Sequence, residues 1–412
     1  MVKPSKTVTG VVAGLLLLCG ACAGSPQATT RSPTTTTSGS SSRSPTSSTT
    51  TTVPGAGPPA GTAVPSGFDP GSVTFVSTTT GFVIGVDSSC PGGTCVALAR
   101  TTDGGSSWAA LPAPSAAYVA HGGQPSSTLP DVAEVRFADE LDGWIYGPSL
   151  FATHDGGASW RRVNLAGSVI SLETSGGFVD AVVSPCTGEQ VCTGWLELYQ
   201  APAAGGSFVR VLTGPSTSSS GLFPALSLHA PVGFVDMSAA GGTGLGRFYA
   251  TEQLAGLRAW KSFPDPCAGP SAPDVVSFVA PDAVDLYTLC AGGAAAGSVA
   301  KELVRTTRAV SVTVGAPPSA GDPEGLAATG SGTFVVTAAS GASWLYRSTD
   351  GGAHWTTVAT FDDGGIGFND LGFTTATQGV VVHGSPGPPA DFSSQLLMTR
   401  DGGATWSPLS IS

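Results

Sequence analysis

The octapeptide TTDGGSSW, at residues 101–108, returns three more times in the chain with the pattern Ser/Thr-x-Asp-Gly-Gly-x-polar-Trp. The other copies are THDGGASW at 153–160, STDGGAHW at 348–355 and TRDGGATW at 399–406. Two glycines after an aspartate permit the positive φ angles that a tight hairpin needs. The aspartate can accept backbone N–H groups of its own turn, and the tryptophan then begins the outgoing strand. We therefore predict four β-hairpins of the same construction.

The repeated side chains of these octapeptides are predicted to be structural. We expect the aspartates to close the turns and the tryptophans to pack in the core, not to contact a ligand. Burying one tryptophan side chain removes about 150–250 Å² from water, which stabilises a fold by roughly 4–6 kcal/mol as an upper estimate. The eight residues are Asp103, Trp108, Asp155, Trp160, Asp350, Trp355, Asp401 and Trp406.

The spacing of the octapeptides gives the number of repeats. Asp103 and Asp155 are 52 residues apart, Asp350 and Asp401 are 51 apart, and 195 residues separate Asp155 from Asp350. Four steps of about 49 residues fill the central gap, which implies three further repeats. Degenerate copies occur at residues 199–211, 249–263 and 303–312, where parts of the turn or only the strand pattern remain.

A glycine followed by an apolar run precedes the predicted hairpins, as in GFVIGVD from Gly81 and QGVVVHG from Gln378. Another short apolar strand comes before it, so each repeat consists of three strands, a turn and a fourth strand. Such repeats are typical of propeller blades. We predict an all-β, seven-bladed β-propeller at residues 66–412, with six or eight blades as alternatives. The pattern leaves open whether the ring closes without strand exchange or by pairing of residues 60–70 with the last blade near residues 407–411.

The four octapeptides resemble the Asp-box, or BNR repeat, of sialidases, sortilin and the photosystem II assembly-factor family of propellers. The resemblance to the assembly-factor family covers nearly the whole predicted propeller and rests on an aromatic strand followed by T-x-DGG-x-x-W. In that family the propeller has no catalytic activity and is a docking platform for other proteins. The resemblance therefore implies a non-enzymatic binding or scaffold module. The basic binding patch of the family is not expected, because this chain has a net charge of −11.

A sialidase-like glycoside hydrolase acting on extracellular glycans is the alternative function. The resemblance to sialidases would imply a cluster of three arginines at the channel mouth, beside a tyrosine and a glutamate. The Phe/Tyr-Arg-Ile-Pro motif of sialidases does not occur, and Arg136 stands in the sequence Val-Arg-Phe. The chain also contains no G-x-S-x-G or H-E-x-x-H motif. We therefore predict no catalytic residue, no metal site and no cofactor.

The beginning of the chain has the layout of a secretory signal, with an apolar run at residues 11–18 after a basic start. The sequence LCGAC at residues 18–22 resembles a bacterial lipobox, although Cys19 stands where an aliphatic residue is usual. The resemblance implies a lipoprotein signal peptide at residues 1–22, lipidation (palmitate) of Cys22 and an extracytoplasmic protein anchored to the cell membrane. An ordinary signal peptide cut near Ala23, which would release a secreted protein, is the alternative.

A polar segment follows the predicted signal. Of the 28 residues from 25 to 52, 20 are serine or threonine. Such a segment cannot bury enough apolar surface to offset the entropy of ordering it. We therefore predict a disordered Ser/Thr/Pro-rich tether at residues 23–65.

Six cysteines follow Cys22, and an even number in an exported chain predicts disulfides. In the frame of the repeats, two pairs fall in hairpins between second and third strands, and the third pair spans the first two strands of the fifth repeat. The predicted pairs are Cys90–Cys95, Cys186–Cys192 and Cys267–Cys290. A metal site of the form Cys-x₄-Cys with Cys-x₅-Cys is the alternative, and it lacks the short spacing usual in such sites.

Composition narrows the class of partner. Only 11% of the residues are charged, against about 25% in an ordinary soluble domain, and 58 are glycine, so a coiled coil does not fit. The acidic balance argues against nucleic acid as a partner. We expect a monomer whose partner is an envelope protein or glycan with a basic or neutral surface. The candidate binding loops are the Pro/Gly/Ser-rich segments 113–131, 264–274 and 385–394.

Overall fold

The fold is an all-β propeller of seven blades. The computed structural model describes residues 59–90, 95–120, 126, 128–185, 194–217, 225–237, 247–255, 259–267, 272–330, 332–386 and 394–412. Within these residues the regular elements are all β-strands, and they form seven sheets, one for each predicted repeat. The predicted fold class and blade number are confirmed. The described residues contain no helix long and apolar enough to cross a membrane.

Each blade is built from consecutive strands. Blade 1 contains β1 (Phe68–Phe75), β2 (Gly81–Asp87), β3 (Cys95–Thr101), β4 (Ala109–Leu111), and the short strands β5 (Ala117–Tyr118) and β6 (Asp131–Val132). Blade 2 contains β7 (Glu134–Phe137), β8 (Gly143–Tyr146), β9 (Leu150–Thr153) and β10 (Arg161–Val163). Blade 3 contains β11 (Ser168–Ser175), β12 (Phe178–Ser184), β13 (Gly194–Pro202) and β14 (Val209–Thr217). Blade 4 contains β15 (Ala225–His229), β16 (Val232–Asp236), β17 (Phe248–Thr251) and β18 (Lys261–Phe263).

The remaining three blades follow the same order. Blade 5 contains β19 (Asp274–Val279), β20 (Asp285–Ala295), β21 (Ser298–Thr307) and β22 (Val310–Gly315). Blade 6 contains β23 (Asp322–Ala328), β24 (Phe334–Ala339), β25 (Gly341–Ser348) and β26 (Thr356–Gly364). Blade 7 contains β27 (Phe368–Phe373), β28 (Gly379–His383), β29 (Gln395–Thr399) and β30 (Ser407–Pro408). The first strands of neighbouring blades contact one another around the whole ring, so they are the inner strands.

The hairpin between the third and fourth strands holds the octapeptide in blades 1, 2, 6 and 7. The three degenerate repeats also form this hairpin, in blades 3, 4 and 5. In blade 5 a two-residue turn replaces the octapeptide, and its residues Arg308 and Ala309 both have positive φ, 48° and 64°. This backbone is the one that a two-residue hairpin loop requires.

The glycine that begins the second strand has a steric reason in three blades. A Cβ on Gly81, Gly143 or Gly379 would overlap the ring of the phenylalanine paired with it at the end of the first strand. The same phenylalanine meets the octapeptide tryptophan edge to face, with ring centroids 6.2 Å apart in all three blades. The recurring glycine, phenylalanine and tryptophan therefore pack together. Their contacts join the first and second strands of a blade to the start of its fourth strand.

The hydrophobic cores lie between neighbouring blades. One cluster, for example, joins Phe82 and Ile84 of blade 1 to Val135 and Ile145 of blade 2. Corresponding clusters join the other pairs of blades in turn, including blade 7 with blade 1. Each sheet is thus covered on both faces, which is consistent with the low charge of the chain.

The ring closes without strand exchange, which answers a question left open by the sequence. Blades 7 and 1 meet through a side-chain cluster that includes Val83 and Val382. Ser394 of blade 7 donates its N–H to Asp69 Oδ1 of blade 1 at 2.8 Å, and Arg400 Nη2 donates to Gly104 O at 2.7 Å. Closure therefore rests on packing and a few polar contacts between the first and last blades.

A short segment before β1 lies against blade 1, not against the last blade. Thr62 forms a backbone bridge with Ala110 of β4, and Arg100 Nη2 donates to Pro59 O at 2.8 Å. Val64 is buried in the cluster between blades 7 and 1. Residues 59–64, which the sequence analysis assigns to the tether, therefore pack on the propeller.

Two disulfides are present in the described residues. Cys90–Cys95 joins the end of the β2–β3 hairpin, with 6.1 Å between the Cα atoms. Cys267–Cys290 joins β20 to the connection between blades 4 and 5, with 5.5 Å between the Cα atoms. Cys267 thus lies before the first strand of blade 5, not in it as expected, because that strand begins only at Asp274. The predicted Cys186–Cys192 pair and Cys22 lie outside the described residues.

Candidate functional site

The two ends of the propeller carry different features. Neighbouring strands of a blade are antiparallel, so the turns after the first and third strands lie at one end, which we call the lower face. The starts of the inner strands, the hairpins after the second strands and the links between blades lie at the other end, the upper face. The four octapeptide turns are therefore on the lower face.

The carboxylates of the octapeptide aspartates accept hydrogen bonds from residues of their own turns. In the first copy, Ser107 donates its N–H and Oγ to the Asp103 carboxylate at 2.9 and 2.6 Å, and Thr101 Oγ1 donates to it at 2.8 Å. The other three copies repeat these bonds. Hydrogen bonds from the residue four places later hold the pKa of Asp103, Asp350 and Asp401 at about 2. These carboxylates are permanently ionised acceptors that shape the turn.

Each octapeptide turn is also hydrogen-bonded to the turn between the first and second strands of its blade. The first glycine N–H of each octapeptide donates to a carbonyl in the turn between the first two strands, as Gly104 N does to Thr79 O at 2.8 Å. Trp108 is buried, while Trp160, Trp355 and Trp406 are half-buried and pack against the cores of their blades. The repeated residues of the lower face therefore build the fold.

One cavity opens on the upper face at the mouth of the central channel. Its volume is about 160 Å³, and blades 1, 2, 6 and 7 contribute to its wall. The lining is mainly polar. It consists of Gly71, Tyr118, Glu134, Glu324, Ile366, Phe368, Asn369 and Ser385.

Tyr118 reaches the cavity from β5, which belongs to the long connection between blades 1 and 2. Its side chain is only 6% exposed and packs in the cluster between these blades. The hydroxyl lies over Gly71, where a Cβ would collide with it. Within the described part of the chain this hydroxyl has no hydrogen-bond partner. Burial, and then the charge of Glu134, raise the pKa of Tyr118 well above its usual value, so the hydroxyl is a neutral donor directed into the cavity.

The carboxyl groups of Glu134, Asp370 and Asp69 lie close enough to this hydroxyl to raise its pKa, and Glu324 lines the same cavity. Glu134 accepts a hydrogen bond from Ser72 Oγ at 3.0 Å, and burial followed by the charge of Asp370 raises the pKa of Glu134 well above its usual value. Glu324 accepts from Phe368 N–H at 2.9 Å, and burial raises its pKa to about 7. Burial also raises the pKa of Asp69. The carboxyl groups are crowded and poorly hydrated, so their ionisation is costly without a positive charge nearby.

Arg136 is the one arginine of the seven inner strands as described. Its Nη2 lies 3.1 Å from Glu173 Oε1 of blade 3 and 3.8 Å from Asp370 Oδ1 of blade 7. Asp370 also accepts from Val73 N–H at 2.8 Å, and its backbone has a positive φ of 53°. Such a strained conformation at a non-glycine residue is maintained by surrounding contacts and is common at functional sites. The arginine thus links three blades across the channel and is already occupied by carboxylates.

A second depression, of about 590 Å³, lies on the lower face between blades 3 and 4. Phe178, Pro231 and Leu254 give it a mainly apolar lining. It brings no reactive or strongly charged groups together. No group of three or more metal-ligating side chains suited to an ion is found in the described residues, at either depression or elsewhere.

Sequence reasoning identified two of the segments that reach the cavity but none of its acidic residues. The predicted loops 113–131 and 385–394 supply Tyr118 and Ser385, although parts of both lie outside the described residues. Glu134 and Glu324 were missed, since single acidic residues on strands have no motif. Their position in the sequence could have indicated them, because both residues stand at or near the start of an inner strand, as Asp69 does.

The fold and the cavity together define a seven-bladed β-propeller with an acidic cavity at the mouth of its channel. No family model matches the chain, and no curated protein matches it. Among solved structures, it is similar to "YCF48 bound to D1 peptide", with 17% identity, 82% of this chain and 93% of that chain covered, and a TM-score of 0.52. It is also similar to YCF48 from Cyanidioschyzon merolae, with 15% identity, coverage of 83% and 98%, and a TM-score of 0.52. At these identities the likeness shows the fold.

Proposed function

We propose that this protein is a non-enzymatic binding propeller of the cell envelope, which receives a protein partner on its upper face. The observation that carries the proposal is the polar cavity on that face, with the Tyr118 hydroxyl directed into it. A concave site with a few polar groups directed into it is the usual form of a ligand site, so the cavity is consistent with a group supplied by a partner. YCF48, which has the same fold, was solved with a D1 peptide, and by fold analogy a peptide segment is a suitable class of ligand.

Exposed apolar side chains on the upper face support a docking role for that face. Trp195, at the start of the third strand of blade 3, is 57% exposed, and Leu129, in the connection that contains Tyr118, is 40% exposed. Tryptophan is enriched among residues that dominate the energy of protein interfaces. The upper face therefore carries both exposed apolar side chains and the polar cavity.

Electrostatics disfavours the hydrolase alternative. A sialidase-like enzyme binds an anionic sugar through several arginines, but Arg136 is occupied by Glu173 and Asp370. Glu134 and Glu324 line the mouth, and a carboxyl group offers an anionic sugar no positive charge to bind. A binding role fits this distribution of charge better than hydrolysis of an anionic glycan.

The propeller is proposed to lie outside the cytoplasm, attached through a lipid on Cys22 and a tether that ends before residue 59, since residues 59–64 pack on blade 1. The secretory layout at residues 1–22, the serine- and threonine-rich segment and the two disulfides support this location. A coil of about 36 residues has an r.m.s. length of roughly 33 Å, which is enough to hold the propeller away from a membrane surface.

The proposal is tested by affinity capture from envelope extracts with the full chain and two matched double variants. Trp195→Ala with Leu129→Ala alters the upper face. Val284→Ala with Leu141→Ala alters side chains of comparable exposure, 61% and 40%, in turns of the lower face. We expect one saturable protein partner that the lower-face variant retains and the upper-face variant loses. Loss of the partner only in the lower-face variant, or saturable binding of wall glycan in place of a protein, would contradict the proposal.

A further inference from the structure

The fourth strand of blade 5 has an open edge. β22 is the last strand of its sheet, and among the described residues no strand pairs with its outer side. It consists of six residues, VSVTVG, none of which is charged or proline. Val310 and Val312 are 65% and 52% exposed, although valine favours the half-buried surface of a sheet. An uncharged edge of this kind is a template for pairing with another strand.

The fourth strands of the other blades have features that oppose such pairing. Four of them are only two or three residues long, and the remaining two carry charged side chains. Short strands, charged side chains, proline and a covering segment all protect an edge. The protected strands are β4, which is covered by Thr62, β10 with Arg161 and Arg162, β14 with Arg210, β18 with Lys261, β26 with Asp362 and Asp363, and β30 with Pro408.

β22 is held in an extended conformation by its own blade and by blade 6. The turn before it, Arg308 and Ala309, has the two positive φ angles of a two-residue hairpin loop. The hydroxyl groups of Ser311 and Thr306 are hydrogen-bonded at 2.9 Å, and Val314 packs against the cluster between blades 5 and 6. Because the edge is already ordered, pairing with it costs β22 little conformational entropy.

The hairpin determines which backbone groups of β22 point outwards. Val310 and Val312 pair with residues of β21, the first of them directly across the two-residue turn. Residues that flank such a turn exchange backbone hydrogen bonds, and bonded and non-bonded pairs then alternate along antiparallel strands. The N–H and C=O groups of Ser311 and Thr313 therefore point away from β21, towards the open edge.

Blade 1 shows that the fourth strand of a blade in this propeller accepts an added segment. Thr62 and Ala110 of β4 exchange backbone hydrogen bonds of 2.9 and 2.8 Å. Ala110 faces Ala99 of β3 on its other side. The segment before β1 is thus an additional backbone partner at the outer edge of its blade. For β22 the described residues supply no equivalent.

The charges near the edge favour an acidic segment over a second copy of this chain. Arg308 lies in the turn before β22 and Arg305 lies on β21 across from Val312, and both arginines are exposed. The acidic side chains of β20 and β21, Asp285 and Glu302, accept hydrogen bonds from threonines of the same sheet. A second copy of the chain carries a net charge of −11 and would be repelled as a whole.

We propose that β22 accepts an extended segment of a partner protein as an added β-strand. The backbone groups of Ser311 and Thr313 bind the segment, so only an extended chain fits. Its β-branched side chains lie beside Val310 and Val312, because side chains directly opposite each other in a strand pair are in contact. An acidic side chain of the segment lies near Arg308. The inference goes beyond the proposed function, since no residue of blade 5 lines the cavity of the upper face.

The test uses random peptides displayed on phage and three forms of the full chain as bait. The first form is unaltered, and the second carries Val310→Lys and Val312→Lys, since lysine on an edge strand opposes pairing. The third carries Thr357→Lys and Thr360→Lys, which add the same charge to β26 of blade 6. All four positions are exposed, so melting curves should show that the three forms are equally folded.

We expect the unaltered chain and the β26 variant to select peptides with alternating β-branched residues, and the β22 variant to bind them about tenfold more weakly or worse. Methylation of the backbone nitrogens at one alternate set of peptide positions should abolish binding. Methylation of the other set should have little effect, because only one set of N–H groups faces β22. In hydrogen exchange, the bound peptide should protect residues 310–315 and leave residues 356–364 unchanged. The variant with Trp195→Ala and Leu129→Ala should bind the same peptides normally.

Three other outcomes would overturn the inference. Selected peptides that bind all three forms equally would place their binding surface elsewhere. Equal tolerance of methylation at both sets of positions would show that side chains alone carry the binding, without an added strand. A dimer of the unaltered chain in analytical ultracentrifugation that the β22 variant does not form would identify a second copy as the occupant of the edge. None of these results bears on the upper-face proposal, and failure of envelope capture would leave this inference standing.

Discussion

Replacing Asp180 by asparagine should stabilise the propeller at neutral and alkaline pH. Asp180 lies in β12 of blade 3, opposite Gln200 of β13, and its side chain is fully buried. The described residues place no donor in good hydrogen-bonding geometry with either carboxyl oxygen, and the facing Gln200 amide only partly opposes the effect of burial on the pKa of Asp180. Burial raises the pKa of Asp180 from 3.8 to about 7, because an ionised carboxylate is poorly solvated inside the blade.

The size of the effect follows from the difference between folded and unfolded states. Between pH 4 and pH 7 the folded state keeps a proton on Asp180 that the unfolded state has lost, so the free energy of unfolding falls as pH rises. One pKa unit corresponds to about 1.4 kcal/mol, so a shift of about three units costs roughly 4 kcal/mol by pH 7. Above pH 7 both states are ionised and the cost stays constant. Asparagine has a similar shape and no charge, so it avoids this cost.

Urea unfolding of the full chain and of Asp180→Asn, at pH 4.5 and at pH 8, measures the difference. We expect similar stabilities at pH 4.5 and a variant more stable by several kcal/mol at pH 8. Glu252→Gln, at an exposed position, is the control and should change neither value appreciably. A difference between Asp180→Asn and the unaltered chain that does not depend on pH would refute the reasoning, as would a variant that is less stable at pH 8.

Four further outcomes are expected. Gly71→Ala should push Tyr118 out of its position, lower stability by about 1–3 kcal/mol and weaken binding of the envelope partner, and a melting curve with a binding titration measures both effects. Glu324→Gln should raise the free energy of unfolding more at pH 8 than at pH 5 in urea unfolding, because burial raises the pKa of Glu324 to about 7 and its ionisation above that pH destabilises the folded state. Cys290→Ala breaks a disulfide of sequence separation 23 and should cost about 3 kcal/mol in urea unfolding. Cys22→Ala should abolish labelling by radioactive palmitate and release the protein from the membrane fraction.

The fold could be predicted from the sequence because its signals are local. The Asp-Gly-Gly turns close through residues no more than four places apart, as in the bond from Ser107 N–H to Asp103 Oδ1. Such a turn forms in the same way wherever the octapeptide occurs, so its spacing counts the blades. The degenerate repeats could be found for the same reason, since each still alternates short apolar strands with turns.

The cavity could not be predicted because its residues are distant in the chain and belong to no motif. Val73 and Asp370, for example, are hydrogen-bonded although 297 residues separate them. Tyr118 lies in a connection whose composition suggests only a loop, and its position over Gly71 depends on how blades 1 and 2 pack. Nothing in the pattern of a single strand distinguishes Glu134 from an ordinary solvated residue.

The sequence by itself determined the hairpins, the number of blades, the acidic character of the chain and the candidate loops, because each depends on near neighbours or on composition. The tertiary structure decided how the ring closes, where Cys267 lies and which charges meet at the mouth of the channel. Closing the ring brings the starts of the inner strands together, so isolated acidic residues such as Glu134 and Glu324 come to share one poorly hydrated cavity. Their proximity, and the burial that raises their pKa values, exist only in the assembled propeller.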